Sequence, residues 1–125
     1  MVENRFQEPI GGENMTYSEY FSSVKTQFMG ADVSDIKEHL AFQFNITGEA
    51  EGIFYVEVKN GELKIEPYEY HDNDAIFVGS AEQFTAIMKG EKDPVDEFLK
   101  FRLKVIGNLD KALKLKDLIE RNNNK

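Results

Sequence analysis

Asn60-Gly61 stands between two runs of alternating hydrophobicity, and that juxtaposition constrains the fold more than any other stretch of the chain. Both central positions of a type I′ turn need positive φ, which Asn and Gly adopt at least cost, so the dipeptide predicts a tight antiparallel hairpin. Upstream, Ile53 to Lys59 sets Phe54, Val56 and Val58 on one side and Glu57 and Lys59 on the other; downstream, Leu63 and Ile65 lead the return strand. His39 to Thr47 alternates in the same way, with Leu40, Phe42, Phe44 and Ile46 against Ala41, Gln43, Asn45 and Thr47, and the turn-rich Gly48 to Gly52 joins it to the next run. Three successive half-buried strands follow from this pattern, antiparallel where hairpins connect them.

Around this meander the period changes. Thr16-x-x-Glu19 offers a capping box, and Tyr17, Tyr20, Phe21, Val24 and Phe28 recur at helical steps, predicting a first helix that ends near Gly30. Residues Asp32 to Glu38 permit a short second helix. After a polar loop from Tyr68 to Asn73, the apolar run Ala75 to Gly79 reads as a fourth strand. Ser80-x-x-Gln83 opens a helix with Phe84, Ile87 and Met88 on one face and Gly90 at its end; Asp93-Pro94 opens another, with Val95, Phe98 and Leu99 as its stripe. Leu103 to Ile106 returns to strand, and Gly107-Asn108 turns into a last helix bearing Leu109, Ala112, Leu113, Leu115, Leu118 and Ile119. Helices and strands without regular βαβ alternation predict an α+β fold. One domain is expected over 15–121, preceded by a flexible arm over 1–14 that holds Pro9 and Gly11-Gly12, and followed by a disordered tail over 122–125.

Composition narrows the function. A chain of 125 residues, 41% hydrophobic and 30% charged, has the size and mixture of a single globular domain. Its net charge of −8 argues against nucleic acid, whose binding depends on many Lys and Arg contacts. The charge is lopsided: residues 1–88 carry 5 basic and 16 acidic side chains, residues 89–125 carry 10 and 7. No apolar run approaches membrane-spanning length and no secretory leader is apparent, so a cytoplasmic location is expected. Without cysteine there is no disulfide framework or thiol nucleophile.

Catalytic readings find little support. His39 opens a strand and His71 lies in a polar loop without a nucleophile motif, while Tyr70 to Asp74 lacks both EF-hand and zincin spacing. Glu62 and Glu66 share the polar side of one strand, with Glu69 just beyond it, and no Gly-rich phosphate loop is present. No enzyme, metal or cofactor is therefore expected. What remains is an apolar surplus on helices and sheet.

Several spaced motifs carry a resemblance: Phe42-x-Phe44-x-Ile46-x-Gly48, Val56-x-Val58-x-Asn60-Gly61, Asp74-Ala75, the helix ending at Gly90, and Leu103 to Asn108 leading to Leu113 and Leu115. In this order the chain resembles the sterol carrier protein 2 family from about residue 16 to 120. The resemblance implies a five-stranded, mainly antiparallel sheet covered by helices, with an apolar tunnel between them. It implies a lipid ligand, whether fatty acyl chain, acyl-CoA, phospholipid or sterol. Phe84, Ile87, Met88, Val95, Phe98, Leu99 and Phe101 would line the tunnel, and Leu115, Leu118 and Ile119 would form a lid. Lys111, Lys114 and Lys116 would meet a headgroup. Many relatives carry Gly where this chain has Phe101, whose ring would reshape the tunnel. The function expected is non-enzymatic lipid binding or transfer, with transient contact to a membrane or a partner enzyme. The alternative is an accessory domain that presents a hydrophobic intermediate to a partner enzyme.

Overall fold

A computed structural model describes residues 15–124. The arm expected over 1–14 lies outside the described residues, as does residue 125. The first helix, α1 (Tyr17–Phe28), starts at the predicted capping box: the Glu19 amide donates to Thr16 Oγ1 at 3.1 Å and the Thr16 amide to Glu19 Oε1 at 3.0 Å. Tyr20, Val24 and Phe28 form its buried stripe.

Five strands follow the expected segments: β1 (Leu40–Thr47), β2 (Gly52–Lys59), β3 (Glu62–Glu66), β4 (Ala75–Ser80) and β5 (Lys104–Gly107). They make one sheet in the order β3-β2-β1-β4-β5, mostly antiparallel, with a single parallel pair between β1 and β4. Asn60 and Gly61 take φ values of 54° and 75°, as the hairpin requires. The register sets Phe44 level with Phe54 on one side and Phe77 on the other, and the three rings stack at centroid distances of 5.0 and 5.2 Å. Phe84, from α2 (Ala81–Met88), meets Phe44 edge-on at 5.3 Å. These aromatics, with Val56, Val58, Ile65 and Leu118, are the centre of the core.

The parallel pair obliges the β3–β4 connection to recross β2 and β1, and it does so on the outer face of the sheet. Tyr70 in that connection donates its amide to Gln43 at 3.0 Å and its hydroxyl to Glu57 at 2.6 Å, and its ring meets Tyr55 edge-on. Gln43 and Glu57, solvent-facing by alternation alone, are thereby buried to 6% and 7% exposure. Asp74 then ties three elements at the strand end. Its carboxylate accepts from the Ala41 amide at 2.8 Å and from Lys111 Nζ at 3.3 Å, and its carbonyl accepts from Asn108.

Three local expectations differ from the structure. The helix expected over Asp32 to Glu38 does not form: the Asp32 carboxylate accepts from both the amide and the hydroxyl of Ser34, at 3.0 and 2.7 Å, which stabilises a turn in competition with helix. The capping box at Ser80 is half formed, because Gln83 turns away to reach Glu97 and the Arg102 carbonyl. The last helix is broken into α4 (Leu109–Ala112) and α5 (Lys114–Asn123), and α5 runs past the boundary expected at 121, with Asn122 buried and Asn123 donating to the Met88 carbonyl at 3.2 Å.

Candidate functional site

The break at Leu113 follows from the apolar pattern. At 3.6 residues per turn, Leu109, Ala112 and Leu113 point about 120° away from Leu115, Leu118 and Ile119, so one straight helix cannot bury both sets against the same sheet. The structure sends the second set into the core, at 0–4% exposure, and leaves Leu109 and Leu113 about half exposed. The first set faces α3 (Pro94–Leu99), a helix opened by the Asp93 side chain accepting from the Val95 amide at 2.8 Å, with Pro94 at its start.

Between α3, the inner side of β4–β5 and α4 lies a cleft of about 210 Å³. Its walls are Phe77, Pro94, Val95, Phe98, Leu99, Val105, Leu109, Ala112 and Leu113, with Lys116 as the single charged side chain. Such a lining excludes directional recognition and favours any apolar group of suitable size. Lys116 Nζ sits 3.0 Å from Asp93 Oδ2; the ammonium holds the Asp93 carboxyl below its usual range, and Asp93 raises Lys116. Asp93 therefore caps α3 and ties it to α5 with the same carboxylate.

Beside this pair lies a second cleft of about 240 Å³, where Ile87, Gly90 and Ile119 stand with the polar Lys92, Asp93, Glu120, Asn123 and Asn124, and it shares Pro94 and Lys116 as walls with the first. A third, between α2 and the α3 region, holds charges of both signs, including Lys89, Glu91, Lys92 and Arg102. There Glu97, only 2% exposed, accepts from Arg102 and Gln83, and the Arg102 guanidinium holds its carboxyl low.

The residues implicated by the resemblance separate into groups. Val95, Phe98 and Leu99 come together in the apolar cleft, and Ile87 and Ile119 reach the second one. Phe84, Met88, Leu115 and Leu118 are packed in the core, between 0% and 3% exposed, and line neither cleft. Phe101, 95% exposed, lines neither of them. Of the three lysines, Lys116 borders the cleft, while Lys111 pairs with Asp74 and Lys114 with Glu38. Sequence reasoning did not single out Phe77, Pro94, Val105, Leu109, Ala112 and Leu113 as lining. The over-wide apolar arc of the last helix was the available signal for the last three.

His39 and Glu57, set apart in sequence, meet on the outer face at 2.7 Å beneath Tyr70. The trio anchors the crossover and stands apart from the first and second clefts. Among the described residues no group of three or more His, Asp or Glu is placed to hold a metal ion, and no helix is long and apolar enough to cross a membrane.

The chain has recognisable relatives. Hydroxysteroid dehydrogenase-like protein 2 of Bos taurus is 27% identical over 126 residues, covering all of this chain and 30% of that protein. Sterol carrier protein 2 of Homo sapiens is 32% identical over 71 residues, covering 57% of this chain and 13% of that protein. The chain thus matches less than a third of the length of either curated relative. The solution structure of palmitated SCP2L2 from Aedes aegypti shares the fold, with a TM-score of 0.60 at 21% identity over 84% of this chain and 95% of that one. The model of the SCP-2 sterol transfer family matches residues 25–120, the span that holds the whole sheet, α2 to α4, and the apolar cleft, and on that match the chain belongs to the SCP-2 sterol transfer family.

Proposed function

We propose that this domain binds a single lipid or similar apolar molecule in the cleft between α3 and α4, and that it carries this cargo without chemical change in a cytoplasmic setting. Membership of the SCP-2 family supports lipid binding or transfer, and the single observation that carries the reading is the cleft itself, walled by nine uncharged residues and one lysine. Size sets how it works. The 210 Å³ of the first cleft falls below the roughly 300–1,000 Å³ of sites that enclose a small-molecule ligand, whereas the two clefts joined, 210 and 240 Å³, give about 450 Å³. The Asp93–Lys116 pair that stands between them is 41% and 46% exposed. Opening an exposed pair costs at most about 1 kcal/mol, and each methylene that then leaves water returns about 0.8 kcal/mol. A second methylene therefore repays the opening, and a long chain threads both clefts to make the tunnel that the resemblance implies.

The accessory-domain alternative is favoured by one observation: both curated relatives are much longer than this chain, so their matching segment sits beside other parts of a larger protein. Presentation of a cargo to a partner enzyme uses the same cleft and differs only in where the cargo goes.

Displacement of a fluorescent fatty acid by octanoate, laurate and palmitate tests the reading, with native mass spectrometry on the gently purified protein to reveal retained lipid. Affinity is expected to rise from octanoate to laurate. Absence of displacement by all three, with no lipid retained, would refute lipid carriage.

A further inference from the structure

β5 ends the sheet: it pairs with β4 on one side, and no strand lies beyond it on the other. Such an edge presents main-chain donors and acceptors to any further strand, and charged side chains are the usual guard against one. β3, at the opposite edge, has that guard, with Glu62, Lys64 and Glu66 at every second position. β5 carries one charge, Lys104. Apolar side chains gather here instead: of the seven large hydrophobic residues exposed among the described residues, Leu99, Phe101, Ile106, Leu109 and Leu113 lie in β5 or in the segments that flank it. Phe101 is the extreme case, 95% exposed at φ 62°, a left-handed backbone that a bulky residue adopts at a cost, with no burial of its ring to offset it.

The charges around β5 cancel. Lys100 pairs with Asp96, Arg102 with Glu97, Lys111 with Asp74, Lys114 with Glu38 and Lys116 with Asp93. Of the charged side chains in 99–116 this leaves Lys104 and Asp110, which have no ion pair among the described residues. A neutral face on a chain of net −8 is one on which two copies approach with little repulsion. Lys104 begins β5, and Asp110 stands just past its end. Antiparallel pairing of β5 with that of a second copy, about a two-fold axis, sets the start of each strand beside the end of the other. Lys104 then meets Asp110 of the partner subunit, and Asp110 meets the partner's Lys104. The same reversal carries Phe101, just ahead of β5, toward the partner's Leu109 and the partner's Leu113, which stand half exposed where they line the apolar cleft.

We propose that two copies of the chain associate through β5 across a two-fold axis, joining two five-stranded sheets into one, with Lys104 and Asp110 paired between copies and Phe101 of each lying over the apolar cleft of the other. Assembly stops at two, because a two-fold contact uses the same surface on both copies. The pairing is independent of what the cleft holds, whereas the covering of the cleft rests on the lipid-carrier reading above. There the partner's Phe101 shields from water a chain bound in a cleft that is open along Leu99, Leu109 and Leu113, and cargo enters or leaves when the copies part.

Sedimentation equilibrium of the full chain across micromolar concentrations tests it, and a monomer–dimer equilibrium is expected. Phe101→Gly should weaken the dimer about a hundredfold, because each dimer loses two rings, while the melting temperature of the dilute protein holds or rises where glycine suits the backbone. Lys104→Glu and Asp110→Lys should each be monomeric, since either sets like charges opposite one another twice. An equimolar mixture of the two should form a heterodimer, in which both contacts are again of opposite sign, and that recovery requires both variants to be folded. Laurate should leave Phe101→Gly several-fold faster than the parent at concentrations where the parent is dimeric. A monomer at every concentration, a dimer that Phe101→Gly leaves intact, or single variants that melt normally yet fail to associate on mixing would each overturn the pairing. Parental laurate release from Phe101→Gly overturns the covering of the cleft alone. A dimer that takes up no laurate defeats the carrier reading and leaves the pairing in place.

Discussion

Filling the cleft from inside separates a binding site from an accident of packing. Ala112 lines the cleft at 9% exposure, on the same wall as Leu109 and Leu113. With roughly 30 Å³ for a group the size of a water molecule, the 210 Å³ cleft holds about seven such groups. Ala112→Leu adds three carbons and so displaces about three methylenes of a bound chain. At about 0.8 kcal/mol each, the loss is about 2.4 kcal/mol, or roughly 50-fold in Kd. Ala112→Val, adding two carbons, should cost roughly 15-fold by the same arithmetic. The added carbons occupy space that is otherwise unfilled, so the melting temperature should rise by the amount typical of cavity filling, about 0.5–2 kcal/mol of stability. Titration calorimetry with laurate, paired with thermal unfolding, reads both. The reasoning fails if both variants unfold at or above the parental temperature and bind laurate within about threefold of it, since the ligand would then lie elsewhere.

The polar and backbone features of the fold set the remaining outcomes. Burial pushes the Glu57 carboxyl up, but the hydrogen bonds from Tyr70 and His39 together outweigh it and leave the group below its ordinary 4.5; a depressed folded value stabilises above the unfolded one, so stability should fall as pH drops below about 4.5, and less steeply in Glu57→Gln. The Glu57 hydrogen bond pushes Tyr70 up to about 12 from 10, so the same cluster should lose stability as pH climbs from about 10 through 12, a loss absent in Tyr70→Phe and measurable by thermal melts across pH. Gly107 sits at φ 112° with the Asp74 carbonyl oxygen only 2.6 Å from where a Cβ would stand; Gly107→Ala should destabilise by about 2 kcal/mol or more in urea, and a neutral result would refute the close approach. Tyr20 buries a hydroxyl without a well-formed partner, its pKa pushed up to about 12 by burial, with Thr85 offsetting only part of the rise; Tyr20→Phe should be neutral or stabilising by up to about 1 kcal/mol.

The elements whose signals are local are legible in the chain itself. The hairpin at Asn60-Gly61, the capping box at Thr16 and the Asp93-Pro94 helix start depend on neighbours in sequence, and each stands where the pattern placed it. Expectations failed where a local signal had a rival, close by in sequence for the short helix and across the fold for the capping box at Ser80. Asp32 and Ser34 prefer a turn to the short helix, and Gln83 prefers Glu97 to its own helix end.

The sequence by itself determined the strand faces, the α+β class and the family, because alternation and turn chemistry are properties of short windows and the motifs recur in order. Only the tertiary structure decided which apolar residues seal the core and which border a void. The pattern puts Leu113 and Leu115 on separate arcs of the last helix but does not say which arc seals the core, and one is 56% exposed at the cleft while the other is 2% exposed in the core. The same holds for the burial of Glu57 under Tyr70, which depends on a loop recrossing the sheet, and for Phe101, whose exposure is set by the handedness of one turn. A cavity is a property of how elements fail to meet, and that distance is written in no single segment of the chain.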